Sequence, residues 1–122
     1  VANPFGYGRI VRNEKRLLKA IVEEKEATDE EKAITEVNSG AYWFKCEDLL
    51  KALDKIVEQH EDGKEYYLTD AIEIIISSHR HASAFKAKSS DVVLGANDRA
   101  ALAELNTIAR DRILDMHRTN LL

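Results

Sequence analysis

The stretch Glu36-Val37-Asn38-Ser39-Gly40-Ala41-Tyr42-Trp43-Phe44 constrains this chain most. Three bulky aromatic residues in a row, Tyr42, Trp43 and Phe44, suit a strand covered on both faces. The stretch is therefore expected to be the one long buried strand, with Asn38 and Gly40 in its first half. A buried amide must find hydrogen-bond partners or lose roughly 1–3 kcal/mol. The fold or a ligand can supply them, and the pattern alone leaves both open.

The rest of the chain supplies material for one domain. Its 122 residues, 44% of them hydrophobic, can bury a core. A net charge of -4 gives no general basic field for a nucleic-acid polymer. The single cysteine, Cys46, cannot form an internal disulfide, which fits a reducing cytosol. With no His or second Cys nearby it is expected to be a small packing residue. No apolar run approaches the ~20 residues of a membrane span. The start, Val1-Ala2-Asn3-Pro4, lacks the basic-then-apolar layout of a signal peptide. It has no initiator Met, opens on a loop and ends inside a helical pattern. The chain is therefore expected to be a fragment of a longer protein.

In chain order, Asn3 to Gly8 reads as a loop, with Gly6 and Gly8 permitting positive φ or close approach of a ligand. Arg9–Arg12 and Leu17–Glu23 read as a β-hairpin turned by Asn13-Glu14-Lys15. Glu23 then ends a strand, where it either faces a cleft or is a solvated charge. Thr28 and Glu31 form a capping box, and only Ala33 and Ile34 follow, so one or two helical turns are expected. Leu49, Leu50, Leu53, Ile56 and Val57 repeat at helical spacing within a helix from Glu47 to Gln59. Thr69 is expected to cap a buried helix through Ser78. The histidines of His79-Arg80-His81 lack a carboxylate or cysteine close in sequence and read as a solvated helix end rather than a metal site. Residues 82–87 are a weak candidate strand, with Phe85 and Ala87 on one side. Residues 91–96 fit a strand or a tight turn. Asn97 or Asp98 caps a last helix to Thr119, with Leu102, Leu105, Ala109, Ile113 and Met116 as its core-facing stripe. Alternating strands and helices argue an α/β architecture.

Five stretches taken together resemble the sugar-phosphate nucleotidyltransferases. They are Asn3-Pro4-Phe5-Gly6-Tyr7-Gly8-Arg9-Ile10, Ile21-Val22-Glu23-Glu24-Lys25-Glu26-Ala27-Thr28, Glu36-Val37-Asn38-Ser39-Gly40, Glu65-Tyr66-Tyr67-Leu68-Thr69-Asp70 and Gly95-Ala96-Asn97-Asp98-Arg99. Their order and spacing both fit, across essentially the whole chain. Within that family the chain looks most like the N-acetylglucosamine-1-phosphate uridyltransferase domain of the bifunctional bacterial uridyltransferase/acetyltransferase. The related glucose-1-phosphate thymidylyltransferases usually carry a proline after the Glu-Lys pair, where this chain has Glu26, and an aspartate where it has Asn97. A non-catalytic sugar-nucleotide-binding module is the other alternative.

The resemblance implies the C-terminal half of a Rossmann-like domain, a mixed sheet with flanking helices. Residues 1–122 would be its sugar-binding part, and residues 97–119 would include a helix leading toward a following domain. It implies that Gly8, Glu23, Asn38 and Asn97 contact the sugar nucleotide and that Asn97 also binds Mg²⁺. It implies UTP, N-acetylglucosamine-1-phosphate and UDP-N-acetylglucosamine as ligands, a cytoplasmic location, and an oligomer built through a domain outside this chain. No protein nucleophile is implied. Tyr66 and Thr69 look structural, and Lys25 could approach a phosphate. The family's N-terminal Leu-x-x-Gly-x-Gly-Thr-x-Met loop, whose backbone N–H groups hold the triphosphate, does not occur in this sequence. The isolated 122 residues are accordingly expected to be inactive.

Overall fold

A turn that the sequence itself encodes starts the fold. Asn13 Oδ1 accepts hydrogen bonds from the N–H groups of Lys15 and Leu17, both at 3.0 Å. This closes a hairpin between β1 (Arg9–Arg12) and β2 (Leu18–Val22). Arg16 takes the left-handed conformation at φ 61 to complete the turn. The strands pair antiparallel, Arg9 with Val22 and Ile10 with Ile21, and an irregularity at Val11/Arg12 skips Lys19. Leu18, Ala20 and Ile21 are buried, whereas Leu17 belongs to the turn and is exposed. The computed structural model describes residues 1–96 and 98–120. It divides into two units, Val1–Lys86 and Ala87–Leu122.

The first unit adds three helices to the hairpin. α1 (Asp29–Lys32) is one turn long and carries the expected capping box. The Thr28 side chain accepts from Glu31 N–H at 3.2 Å, and the Glu31 carboxylate accepts from Thr28 N–H at 2.9 Å. α2 (Cys46–Glu58) and α3 (Asp70–Ser77) follow the 3.6-residue apolar spacing. α3 sits at the centre of the packing. Ile72 joins Ile10, Leu18 and Ile21 against the hairpin, while Ala71 and Ile75 form a second cluster with Ala52 of α2. Ala52 and Ala71 are almost completely buried. Their small side chains let the two helix backbones approach closely.

The expected long strand at 36–44 does not form. Glu36 C=O accepts from Ile10 N–H at 2.9 Å, and Asn38 N–H donates to Gly8 C=O at 2.8 Å, giving a single bridge between Arg9 and Val37. Gly40 then adopts φ 76 and turns the chain away from β1. Beyond it Tyr42 and Phe44 pack against the core, but Trp43 between them is 100% exposed. Among the described residues the sheet is two-stranded and antiparallel, so the mixed sheet is not seen within this chain. The architecture is α/β at that level.

Other expectations also change. Residues 82–87 form no strand: Ala82 and Ala84 pack inward and Phe85 is exposed. Cys46 is exposed at the start of α2, not packed. On α2 only Leu49, Ala52 and Ile56 turn inward, and Leu50, Leu53 and Val57 are exposed, because the apolar arc is wider than its neighbours cover. His79 and His81 are solvent-exposed, as expected of a helix end, and Arg80 pairs with Asp48 at 3.3 Å.

The second unit holds a 3-10 turn, Ser90–Val93, and α4 (Arg99–Asn120). Asp98 Oδ1 accepts from Ala101 N–H at 2.8 Å and caps α4. Arg112 pairs with Asp91 at 2.5 Å. The expected core stripe of α4 is not buried: Leu102, Ile113 and Met116 are exposed. Among the described residues no helix is long and apolar enough to cross a membrane.

Two outcomes follow. Ile72→Ala should destabilise the first unit by about 2–5 kcal/mol in denaturant unfolding, while Leu50→Ala should stay within about 0.5 kcal/mol of the parent. The hydrogen bond from Arg12, at 2.5 Å from one Glu36 oxygen, holds the Glu36 carboxyl below its ordinary pKa of 4.5. That stability is fully present above pH 4.5 and is lost as pH falls through the lower folded value. Acid unfolding of Glu36→Gln followed by circular dichroism should therefore show a shallower loss of stability below pH 4.5.

Candidate functional site

The hairpin register brings Gly8 opposite Glu23, one step beyond the Arg9–Val22 pair. Gly8 is buried, and a Cβ there would lie 3.2 Å from Ile21 Cγ2 and 3.3 Å from Glu23 Oε2. The absence of a side chain at Gly8 is what leaves room for the Glu23 carboxylate. Asn38 comes to the same place through its N–H bond to Gly8 C=O. Three of the four residues singled out from the sequence therefore converge from positions 8, 23 and 38. The fourth, Asn97, lies outside the described residues.

Two further side chains complete the cluster. Thr69 was expected to cap α3, yet its backbone is already helical at φ -62 and ψ -26, and it makes no capping bond. The turn begins earlier, through Asp70 N–H to Tyr67 C=O and Ala71 N–H to Leu68 C=O. The freed Thr69 hydroxyl, in a buried residue, donates to Glu23 Oε1 at 2.8 Å. Tyr42 accepts a hydrogen bond from Asn38 Nδ2 at 2.6 Å. Burial, with the Glu23 charge also contributing, raises the Tyr42 pKa above its ordinary 10.

Charge near the cluster is mostly negative. Burial, reinforced by Glu73, Glu23 and Glu26, raises the Asp70 carboxyl. Lys25, expected as a phosphate neighbour, is paired with a carboxylate in this structure. It bonds both oxygens of Glu65 at 3.1 Å, and Tyr67 donates to Glu65 Oε2 at 2.8 Å. The hydrogen bond to Glu65, helped by burial, pushes the Tyr67 pKa to about 12. Tyr66 stacks on His60 with centroids 3.6 Å apart. Among the described residues no group of three or more His, Cys, Asp or Glu could hold a metal.

The sequence reading missed Thr69 and Tyr42 as members of this cluster. Tyr42 had no usable signal: four residues after Asn38 it would lie about 13 Å away along an extended strand, and the chain turns at Gly40 between them. Thr69 had none either, since its link to Glu23 spans 46 residues.

The first unit is thus an α/β domain in which hydrogen bonds gather one carboxylate, one amide, two hydroxyls and a glycine backbone. Its sequence is similar to curated proteins along nearly its whole length. The chain is 48% identical over 118 residues to bifunctional protein GlmU of Acetivibrio thermocellus, covering 97% of this chain and 25% of that protein. It is 48% identical to bifunctional protein GlmU of Geobacillus thermodenitrificans over 97% of this chain and 26% of that protein. It is 46% identical to bifunctional protein GlmU of Limosilactobacillus reuteri over 91% of this chain and 24% of that protein. Across its own length the chain is homologous to a stretch of bifunctional protein GlmU, and it spans about a quarter of the curated relatives it matches. No protein-family model matches it.

Removing the Thr69 hydroxyl while keeping its shape leaves a half-buried carboxylate without its donor. Thr69→Val should cost about 1.5–3 kcal/mol, the range for a hydrogen bond to a charged group, in urea unfolding. A loss below about 0.5 kcal/mol would show that the bond is not formed in solution.

Proposed function

We propose that this chain is the sugar-binding part of an N-acetylglucosamine-1-phosphate uridyltransferase domain. The parent enzyme would join UTP and N-acetylglucosamine-1-phosphate into UDP-N-acetylglucosamine, releasing pyrophosphate, for cell-wall precursor synthesis in the cytoplasm. The observation that carries this reading is the convergence of Gly8, Glu23 and Asn38 in a chain homologous to bifunctional protein GlmU. Relatives named as bifunctional favour it over a thymidylyltransferase. The α/β unit would then be the C-terminal half of a Rossmann-like domain, with the remaining strands of its sheet contributed from outside these residues.

Each residue type suits its task. The Glu23 carboxylate can accept hydrogen bonds from sugar hydroxyls, and the Thr69 bond fixes its position. The Asn38 amide can both donate and accept, which fits hydroxyls and an acetamido group. Gly8 carries no side chain where a Cβ would press on the Glu23 carboxylate at 3.3 Å. A sugar-phosphate oxygen attacks the α-phosphorus of UTP and pyrophosphate leaves. Such transfer rests on positioning and charge stabilisation, so no nucleophilic side chain is needed. Asn97 would be a ligand of Mg²⁺, because its amide oxygen is the hard donor such an ion takes. When bound, the ion would neutralise charge on the phosphates.

The glycine-rich triphosphate loop does not occur in these 122 residues. Mixed with UTP, N-acetylglucosamine-1-phosphate and Mg²⁺, the chain alone should release no pyrophosphate above background. Titrated with UDP-N-acetylglucosamine, it should bind, and Asn38→Ala or Glu23→Gln should weaken that binding about tenfold or more, as loss of a charged or doubly bonded contact does. Binding untouched by both substitutions would rule out this pocket.

A further inference from the structure

The two ends of the Asn38 amide are not equivalent, and the backbone decides which is which. Gly40 N–H lies 3.0 Å from one end of the amide. A peptide N–H can only donate, so the atom facing it must be the carbonyl oxygen Oδ1. The NH₂ group then faces Tyr42, with Nδ2 at 2.6 Å from the phenol oxygen. This assignment follows from the chemistry of the Gly40 N–H and not from the appearance of the amide. The contact closes an Asx turn over Asn38-Ser39-Gly40, and the φ of 76 at Gly40 turns the chain that follows it.

Each partner satisfies half of its end of the amide. Oδ1 keeps one lone pair and Nδ2 keeps one N–H. Tyr42 is itself held firmly. Its ring packs on Phe44 with centroids 5.5 Å apart and lies half-buried against Ile10, Leu18, Ile21 and Ile72. The side chain that fixes the amide is thus anchored in the core of the unit.

We propose that Tyr42 is a positioning residue for the sugar pocket: the Gly40 N–H sets which way the Asn38 amide faces, and the Tyr42 hydroxyl holds it there, so that one N–H and one Oδ1 lone pair remain for the polar groups of the sugar. This rests on the proposed role of Asn38 as a sugar contact. A free amide would sample both flipped states and present the wrong group for part of the time. With Gly40 and Tyr42 in place, only one state makes both bonds. Tyr42 touches no reacting atom in this scheme and acts through Asn38.

The test uses the 122-residue chain labelled with ¹⁵N and the variant Tyr42→Phe, which keeps the ring and its packing on Phe44. The Asn38 side-chain signals are assigned by their loss in Asn38→Ala. Tyr42→Phe should leave the thermal midpoint within a few degrees of the parent, as for the loss of one weak bond. It should move one of the two Asn38 Nδ2 proton signals. It should raise the dissociation constant for UDP-N-acetylglucosamine about fivefold, the equivalent of one neutral hydrogen bond. Unmoved Asn38 signals, or an unchanged dissociation constant, would overturn the role of Tyr42 while leaving the pocket standing. A parent chain that shows no response to the ligand would overturn the sugar pocket, and the role of Tyr42 with it.

Discussion

The first unit depends on one buried cation. Arg9 opens β1 and is 1% exposed, the largest fully buried side chain among the described residues. Its guanidinium pairs with Glu24 at 2.7 Å. It also donates to Tyr7 C=O and, at 3.3 and 3.4 Å, to Lys32 C=O at the end of α1. Glu24 in turn accepts from Gly6 N–H at 3.1 Å, and the hydrogen bond from Arg9 holds its carboxyl below the ordinary range. A buried charge is tolerated only when paired and hydrogen-bonded, and Arg9 meets both conditions. A planar guanidinium spreads five donors over a rigid fork, which lets it reach a carboxylate and two carbonyls at once, where a lysine would offer three donors on a single nitrogen. This one side chain therefore ties together the loop before β1, the turn after β2 and the end of α1.

The site inherits its geometry from that tie. Gly8 precedes Arg9, Glu23 precedes Glu24, and Asn38 follows the bridge between Arg9 and Val37. All three are set by backbone elements that Arg9 and the hairpin ladder hold in place. The carboxylate is oriented from α3 by Thr69, and the amide from the core by Tyr42. The carboxylate and the amide are thus each held by a second side chain, one from a distant segment and one from four residues on. That is the arrangement needed to present fixed donors and acceptors to a small polar ligand. The Lys25–Glu65 ion pair lies at exposed positions and is of the kind that contributes little to stability.

Local patterns and packing agree in some segments and part company in others. The capping box at Thr28 and Glu31 and the Asn13 turn form as the sequence suggests, because each is closed within four residues. The apolar stripe of α2 splits: Ala52 is buried while the larger Leu50 and Val57 are exposed. Periodicity marks the face of a helix that can be buried, and the shape of its neighbours decides how much of that face is used. In α4 the same kind of stripe stays exposed.

What the sequence alone determined were the features governed by short-range chemistry. The hairpin, the one-turn α1, the helices α2 and α3 and the capped start of α4 follow from turn residues, caps and 3.6-residue spacing. The nearness of Gly8 to Glu23 follows from hairpin register. The resemblance picked out Asn38 as well, but not the partners that fix it. Only the tertiary structure decided that Trp43 faces outward, that the stretch after Gly40 leaves the sheet, and that Thr69 serves Glu23 instead of capping its helix. The reason is the same in each case. A hydrogen bond within a few residues is set by local backbone geometry, whereas a bond such as Thr69 to Glu23, across 46 residues, exists only once packing has brought the two segments together.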